Sequence, residues 1–273
     1  MRPMLTLLLV VAAALPVVAD DVLAIKADRV DTVAAGVIEN GIIVVRNGRI
    51  TDVGADVDIP DEAEIIDAHD QTVFPGLINP FSRLGLSSGS RGGFYVMFSD
   101  GSFYFIRSSG GSSSPTPHYR VVDELYAHQD VYRRVLHAGF TSLALVAPGS
   151  STIAGQGAVV RPHGDRAECM VVAESGLLMS YFQPGQGQSQ LRSALESGKR
   201  SPSSADPKVE PLARVVKGEI PLFINSSTPA HTLHLLKVLK DFDKVKATLI
   251  CGSENIQVAE QLAKQKISVI VPA

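Results

Sequence analysis

The sequence has little of what would place it in several large classes of protein. It contains two cysteines among 273 residues, too few for a disulfide-stapled scaffold or a structural zinc cluster. It also lacks an excess of one charge, since 25 basic and 28 acidic side chains give a formal net charge of -3. Such a chain has no broad attraction to phosphate backbones or anionic lipid, so nucleic acid is not expected as a partner. With 45% hydrophobic residues, the composition is that of a globular protein with a sizeable core.

The hydrophobic run at the start of the chain is too short to span a membrane. Met4 to Ala19 is almost entirely apolar, but a spanning helix needs roughly 20 residues. Arg2 supplies a positive head, and small residues at Val17 to Ala19 precede two aspartates, as at a signal-peptide cleavage site. We therefore predict a signal peptide over residues 1–19, export to a periplasmic or extracellular location, and no stable membrane span. An uncleaved anchor is the alternative.

Residues 20–74 have the pattern of short strands joined by turns. Asn47-Gly48 is a hairpin signal because both residue types tolerate the positive φ angles of a tight turn. The pattern predicts a small antiparallel unit, part of a β-sandwich, with these strands: Val22–Lys26, Gly41–Arg46, Arg49–Val53 and Glu64–Asp67.

From residue 75 onward, strand-like runs alternate with helical patterns, which favours parallel strands with helical crossovers and an α/β fold. The predicted helices are Val121–His137, Thr232–Leu239 and Asn255–Lys264, and the predicted strands are Thr141–Val146, Met170–Ala173, Pro221–Ile224, Ala247–Ile250 and Ile267–Val271. Alternation around Ser99-Asp100-Gly101 predicts a hairpin insertion over about 94–107. A stretch rich in Ser, Gly, Gln and Pro predicts a flexible loop over about 183–207.

Several motifs in this order resemble those of a known family. They are Asn47-Gly48-Arg49-Ile50, Ile65-Ile66-Asp67-Ala68, Thr72-Val73-Phe74-Pro75-Gly76-Leu77-Ile78, His137-Ala138-Gly139-Phe140-Thr141-Ser142, Gly155-Gln156-Gly157-Ala158, Gly218-Glu219-Ile220-Pro221 and Cys251-Gly252-Ser253-Glu254. Together they resemble metal-dependent hydrolases of the amidohydrolase superfamily, of the imidazolonepropionase-like type.

The resemblance implies a (β/α) barrel with a flanking β-sandwich, and hydrolysis of C–N bonds by zinc-activated water. The family's His-x-His pair falls on Phe81 and Arg83, and its two later histidines fall on Asn225 and Cys251. Phenylalanine has no lone pair and arginine is a permanent cation, so neither is a zinc ligand. The sequence given ends at Ala273, about where the seventh barrel strand would end. We therefore expect a degenerate, incomplete barrel without its C-terminal part.

The sequence thus predicts an amidohydrolase-like protein that has no cofactor and is catalytically inactive, with a role in binding or assembly. The predicted pocket consists of Phe81, Arg83, Asn225, Ser227 and Cys251, and suits a small anionic or aromatic ligand. A second copy of the chain or a complete paralogue is the expected protein partner. The alternative is a metal-dependent hydrolase acting on non-peptide C–N bonds.

Four other interpretations of the sequence have weaker support from its chemistry. His231 and His234 share a helical face, but zinc needs three or four ligands. Ser226 or Ser227 as a nucleophile lacks the Gly-x-Ser-x-Gly turn, and Gly155-Gln156-Gly157 lacks the third glycine of a dinucleotide fingerprint. A disulfide between Cys169 and Cys251 is compatible with export, but these residues are expected towards opposite faces of the barrel.

Overall fold

A computed structural model describes residues 21–86, 93–97, 103–107, 114–164 and 166–272, with 93–97 and 103–107 described as backbone only. The chain forms two compact units, one up to Pro75 and one from Gly76 onward. The predicted signal peptide over residues 1–19 lies outside the described residues. Within the described part of the chain, no helix is both long enough and apolar enough to cross a membrane.

The first unit is one four-stranded sheet with the strand order β3-β2-β1-β4. Its strands are β1 (Val22–Asp31), β2 (Val37–Arg46), β3 (Arg49–Gly54) and β4 (Glu64–Val73). The predicted turn between β2 and β3 is confirmed, because Asn47 and Gly48 have φ angles of 51° and 72°. A small core is formed by Ala27, Val30, Ile43 and Ala68.

The prediction of a wholly antiparallel unit is wrong for β4. This strand runs parallel to β1, from the pair Leu23↔Glu64 to the pair Val30↔Val73. A parallel pair needs a crossover rather than a tight turn. Residues 55–63 provide it by leading the chain from β3, at one edge of the sheet, to β4 at the other.

The second unit contains a seven-stranded sheet in the order β13-β12-β11-β10-β9-β8-β5 and a separate pair, β6 and β7. The strands are β5 (Leu77–Ser82), β6 (Gly93–Met97), β7 (Phe103–Arg107), β8 (Phe140–Leu145), β9 (Gly155–Val160), β10 (Val171–Tyr181), β11 (Leu222–Asn225), β12 (Ala247–Ile250) and β13 (Ser268–Ile270). Strands β6 and β7 pair antiparallel within the stretch where the sequence predicts a hairpin.

Six strands of the large sheet run in one direction, and β9 runs against both of its neighbours. The helices are α1 (Asp130–His137), α2 (Ala167–Met170), α3 (Gln186–Arg200), α4 (Glu210–Lys217), α5 (Pro229–Leu239) and α6 (Ala259–Lys264), with 3-10 helices at Val121–Glu124 and Ser253–Val258. The unit is an incomplete α/β barrel.

The prediction of a flexible loop over 183–207 is wrong, because α3 occupies residues 186–200. Leu191 and Leu195 are fully buried, and their spacing of four residues places them on one helical face. Gly198 permits close packing on α4, since a Cβ there would lie 2.5 Å from the carbonyl carbon of Leu212. The polar composition of this stretch belongs to the outer face of a packed helix.

Two predicted helices are shorter than expected. The pattern over Val121–His137 is divided into a 3-10 helix and α1, because Leu125 has an extended backbone. Its apolar residues still pack against the core. The predicted helix Asn255–Lys264 likewise begins as a 3-10 helix and becomes α-helical at Ala259.

The large sheet separates two hydrophobic clusters. Leu178 of β10 and Leu249 of β12 pack with the helices α3, α4 and α5. Their neighbours Met179 and Ile250 belong to a second cluster centred on β8, β9 and β10. Because side chains alternate along a strand, β10, β11 and β12 contribute to both clusters, and residues one position apart on these strands face opposite sides of the sheet.

Candidate functional site

The predicted site residues lie at the edge of the sheet where the six co-directional strands end. Phe81 is near the end of β5 and Arg83 follows that strand, whereas Asn225 is the last residue of β11 and Cys251 follows β12. Ligand sites in sheets of this type occur at the carboxyl ends of the strands.

The end of β5 is shaped by an Asn-Pro pair. The pairing of β5 with β8 shifts register between Asn79 and Ser82, because Pro80 has no N–H to donate. The side-chain oxygen of Asn79 accepts a 3.0 Å hydrogen bond from the N–H of Phe81. Val146 then restores the pairing by donating its N–H to the carbonyl of Ser82 at 2.9 Å.

Phe81, Arg83 and Tyr181 form a contact group that we call the Arg83 cluster. The guanidinium carbon of Arg83 lies 5.8 Å from the ring centroid of Phe81 and 5.3 Å from that of Tyr181, both within cation–π range. Arg83 also donates a hydrogen bond to the Tyr181 hydroxyl. β5 and β10 are three strands apart in the sheet order, about 14 Å if the sheet were flat, so the contact depends on the curvature of the sheet.

Tyr181 was not among the residues predicted from the sequence. It is the last residue of β10, and its hydroxyl donates a 3.0 Å hydrogen bond to the carbonyl of Ala147. Burial raises the pKa of Tyr181 and the charge of Arg83 opposes that rise, so the hydroxyl keeps its proton at neutral pH. The one available signal is a polar aromatic residue ending the apolar run that begins at Leu177.

The segment after Arg83 is held in place from one side. The side-chain amide of Gln129 donates a 2.6 Å hydrogen bond to the carbonyl of Gly85, and the hydroxyl of Tyr132 donates one of 3.3 Å to Leu84. A Cβ on residue 85 would lie 2.1 Å from the Tyr132 hydroxyl, so the position of this tyrosine requires glycine at residue 85.

The structure brings only part of the predicted pocket together. Asn225 pairs with Tyr181 in the ladder between β11 and β10, and alternation places it on the same face as Phe223. Ser227 is exposed. Cys251 is 4% exposed and packs in the cluster with Leu249 and the helices, so the structure does not bring Cys251 to the face that carries Phe81. The reason is the alternation of the strand, which directs Ile250 towards the second cluster and Cys251 away from it.

Behind β11 and β12 lies a buried polar group that we call the hydroxyl network, formed by Ser226, Thr232 and Asn255. The Thr232 hydroxyl donates a 2.6 Å hydrogen bond to the side-chain oxygen of Asn255 and lies 3.1 Å from the Ser226 hydroxyl. All three residues are buried. A neutral network of this kind joins α5 to the end of β11 and to the 3-10 helix Ser253–Val258, and it contains no base that would activate Ser226.

These positions do not fit a zinc ion. The guanidinium of Arg83 contacts two aromatic rings, Phe81 offers no donor atom, and the Cys251 side chain packs on the opposite face. Burial also raises the pKa of the Cys251 thiol, which disfavours the thiolate that binds metal. Among the described residues, three or more metal-binding side chains come close together only at Asp28, His69 and Asp70 of the first unit, where His69 Nδ1 and Asp28 Oδ1 lie 2.8 Å apart.

Among the described residues, the remaining candidates form neither a disulfide nor a metal site. Gly157 lies within β9, where a Cβ would approach the Leu145 carbonyl oxygen to 2.4 Å, so close packing explains the glycine. Cys169 is exposed and Cys251 is buried, and both are free thiols. His231 and His234 lie on α5 and belong to no metal-binding group among the described residues.

Comparison with known proteins is consistent with this fold. No family model matches the sequence. The structure superposes on that of an amidohydrolase from Thermotoga maritima MSB8 with a TM-score of 0.75 at 21% sequence identity, covering 92% of this chain and 70% of that one. This likeness shows the fold, which in the present chain is an incomplete α/β barrel.

Two imidazolonepropionases give the sequence matches. The protein from Geobacillus kaustophilus (strain HTA426) is 36% identical over 109 residues, and the one from Geobacillus sp. (strain WCH70) is 32% identical over 108 residues. The matched segments are 37% and 36% of this chain, and they span only 26% and 25% of the two relatives.

Proposed function

We propose that this protein is an exported, catalytically inactive member of the amidohydrolase-like group that binds a small molecule at the Arg83 cluster. The carrying observation is the position of Arg83, whose guanidinium contacts Phe81 and Tyr181 at the carboxyl ends of the strands. A fixed positive charge at this point repels a divalent cation and attracts an anion.

Zinc retention tests the loss of catalysis. The purified chain is dialysed against zinc and then against buffer, and its metal content is measured. We expect far less than one zinc per chain and no hydrolysis of cyclic or acyclic amides. The double variant Phe81→His/Arg83→His is the matched control, because two imidazoles at the strand end supply part of a zinc shell. Stoichiometric zinc in the unaltered chain, with hydrolysis of a non-peptide C–N bond, favours the alternative of a metal-dependent hydrolase.

Export is tested separately. A chain produced with its first residues intact, in a cell with a secretory pathway, is expected outside the cytoplasm with a new N-terminus after Ala19. N-terminal sequencing or intact mass reads this out. Full-length protein retained in the cytoplasm contradicts the export proposal and leaves the binding proposal unaffected.

A second proposed role is assembly with another copy or with a complete paralogue. Val269 and Val271, at the β13 edge of the large sheet, are 44% and 58% exposed. Exposed apolar surface beside a sheet edge is a common protein contact. Light scattering after size-exclusion chromatography is expected to show a dimer that Val269→Lys dissociates. A monomer at all concentrations, with no paralogue bound, contradicts this role.

A further inference from the structure

We propose that the Arg83 cluster is a site for an aromatic monocarboxylate, whose carboxylate pairs with the guanidinium of Arg83 while its ring packs against Phe81. This inference rests on the proposed binding function and names the class of ligand. Such a site requires a cation that forms no ion pair within the protein, flat apolar surfaces beside that cation, and side chains that are already ordered. The described residues provide all three.

The cation is available to a ligand. Arg83 is exposed, and no aspartate or glutamate among the described residues forms an ion pair with it. Its contact with the Tyr181 hydroxyl uses one of the five N–H groups of a guanidinium. Enough donors remain for a two-point interaction with a carboxylate, which is the geometry that arginine favours.

The aromatic side chains beside Arg83 favour a planar carboxylic acid as the ligand. Two aromatic rings lie beside the guanidinium, so a ligand that reaches it must also fit against flat apolar surfaces. A ring attached to the carboxylate gains aromatic contact there. Among the described residues, Arg83 is the only cation in hydrogen-bond or ring contact with Phe81 and Tyr181, and a single positive charge neutralises only part of the charge of a phosphate. Inorganic phosphate is therefore expected to bind more weakly than benzoate.

The geometry is fixed before the ligand arrives. Tyr181 accepts from Arg83 and donates to the Ala147 carbonyl, which makes Tyr181 a positioning residue. Gln129 and Tyr132 hold Gly85 and Leu84 from below. A side chain that is already ordered loses less conformational freedom on binding.

Titration calorimetry with benzoate tests the assignment on the full chain. Cyclohexanecarboxylate, benzamide and inorganic phosphate serve as comparison probes. We expect saturable binding of benzoate, with benzamide weaker by about tenfold or more because charge-assisted hydrogen bonds are lost. Cyclohexanecarboxylate is expected to bind several-fold more weakly than benzoate, because it keeps the carboxylate but loses one aromatic contact.

Variants locate the binding. Arg83→Gln is expected to weaken benzoate about tenfold or more, and Arg83→Lys to recover part of the loss because lysine keeps the charge without the planar fork. Tyr181→Phe is expected to weaken benzoate about three- to fivefold while leaving benzamide unchanged. A purely structural role for Tyr181 would weaken both probes equally. Arg161→Gln is the matched control, because Arg161 is exposed and follows β9, which runs against its neighbours and so ends at the opposite edge of the sheet. This variant is expected to bind benzoate as the unaltered chain does.

The outcomes separate this inference from the proposed function. Equal benzoate affinity in the unaltered chain and Arg83→Gln, absence of saturable binding, or tighter binding of phosphate than of benzoate each overturns the inference. If any of these occurs while the same preparation retains no zinc and hydrolyses nothing, the catalytically inactive assignment stands and only the ligand class falls. Zinc retention with hydrolysis overturns the proposed function itself.

Discussion

The Arg83 cluster and the hydroxyl network lie at the ends of strands of the same sheet but on opposite faces of it. The first joins an exposed charge to two aromatic rings, whereas the second consists of buried, neutral side chains. The first keeps hydrogen-bond donors available to a ligand. In the second, the hydroxyls of Ser226 and Thr232 and the oxygen of Asn255 are directed at one another.

This contrast indicates a division of roles along one edge of the sheet: the hydroxyl network contributes to stability, and the Arg83 cluster contributes to ligand binding. Removing a polar group from the hydroxyl network leaves its partners buried and unsatisfied, so the cost falls on stability. Removing the exposed Arg83 side chain leaves no buried polar group without a hydrogen-bond partner, so we expect the loss in ligand affinity and not in stability. The predictions below test this division, beginning with the largest effect.

Thr232→Val is expected to lower the free energy of unfolding by about 3 kcal/mol, because two buried partners each lose a hydrogen bond worth about 1–3 kcal/mol when left unsatisfied. Urea unfolding followed by far-UV circular dichroism measures the loss. Thr232→Ser keeps the hydroxyl and is expected to lose about half as much. Benzoate affinity should not change in either variant. A loss below about 1 kcal/mol, or weakened benzoate binding, would contradict the proposed division.

Alkaline pH is expected to lower the free energy of unfolding through the buried tyrosines Tyr132 and Tyr181. Burial raises the pKa of Tyr132 from 10.0 to about 12, so between these values the folded chain holds a proton that the unfolded chain has released. Stability therefore falls as the pH rises through this window, by about 2 kcal/mol at pH 12. Tyr181 contributes in the same direction. Unfolding curves at pH 9 to 12 measure the slope, which Tyr132→Phe should flatten. An unchanged slope in that variant would refute the assignment.

The two cysteines provide a smaller test of which face Cys251 occupies. Cys169 is exposed and Cys251 is buried, so a neutral thiol reagent should modify Cys169 in the folded chain and Cys251 only on unfolding. Cys251→Ala is expected to cost about 1 kcal/mol of stability, the typical effect of a small change in a core. Cys169→Ser serves as the control, with no measurable cost. Rapid modification of Cys251 in the folded Cys169→Ser variant would place its thiol at the open face instead.

The sequence predicts strands better than it predicts the face that a residue occupies. Apolar runs identify β8, β11 and β12 because the strands of a covered sheet are buried on both sides. The direction of Cys251 depends on alternation counted from the true strand, and nothing in the motif around it supplies that count.

Composition misleads where a helix is polar on its outer face. The stretch containing α3 has many Ser, Gly and Gln residues, yet Leu191 and Leu195 are enough to bury one face. Tyr181 was missed for a different reason. Its role depends on Arg83, which is distant in sequence and meets it only through the curvature of the sheet.

Arg83→Gln in the absence of ligand is expected to change the free energy of unfolding by less than about 0.5 kcal/mol, the smallest effect in this series. Exposed charge interactions contribute little to stability because water competes for them. The same urea titration used for Thr232→Val measures it, and Ser227→Ala gives the baseline for an exposed position. A loss comparable to that of Thr232→Val would mean that the guanidinium has a structural role, and that its contacts with Phe81 and Tyr181 stabilise the barrel instead of presenting a charge to a ligand.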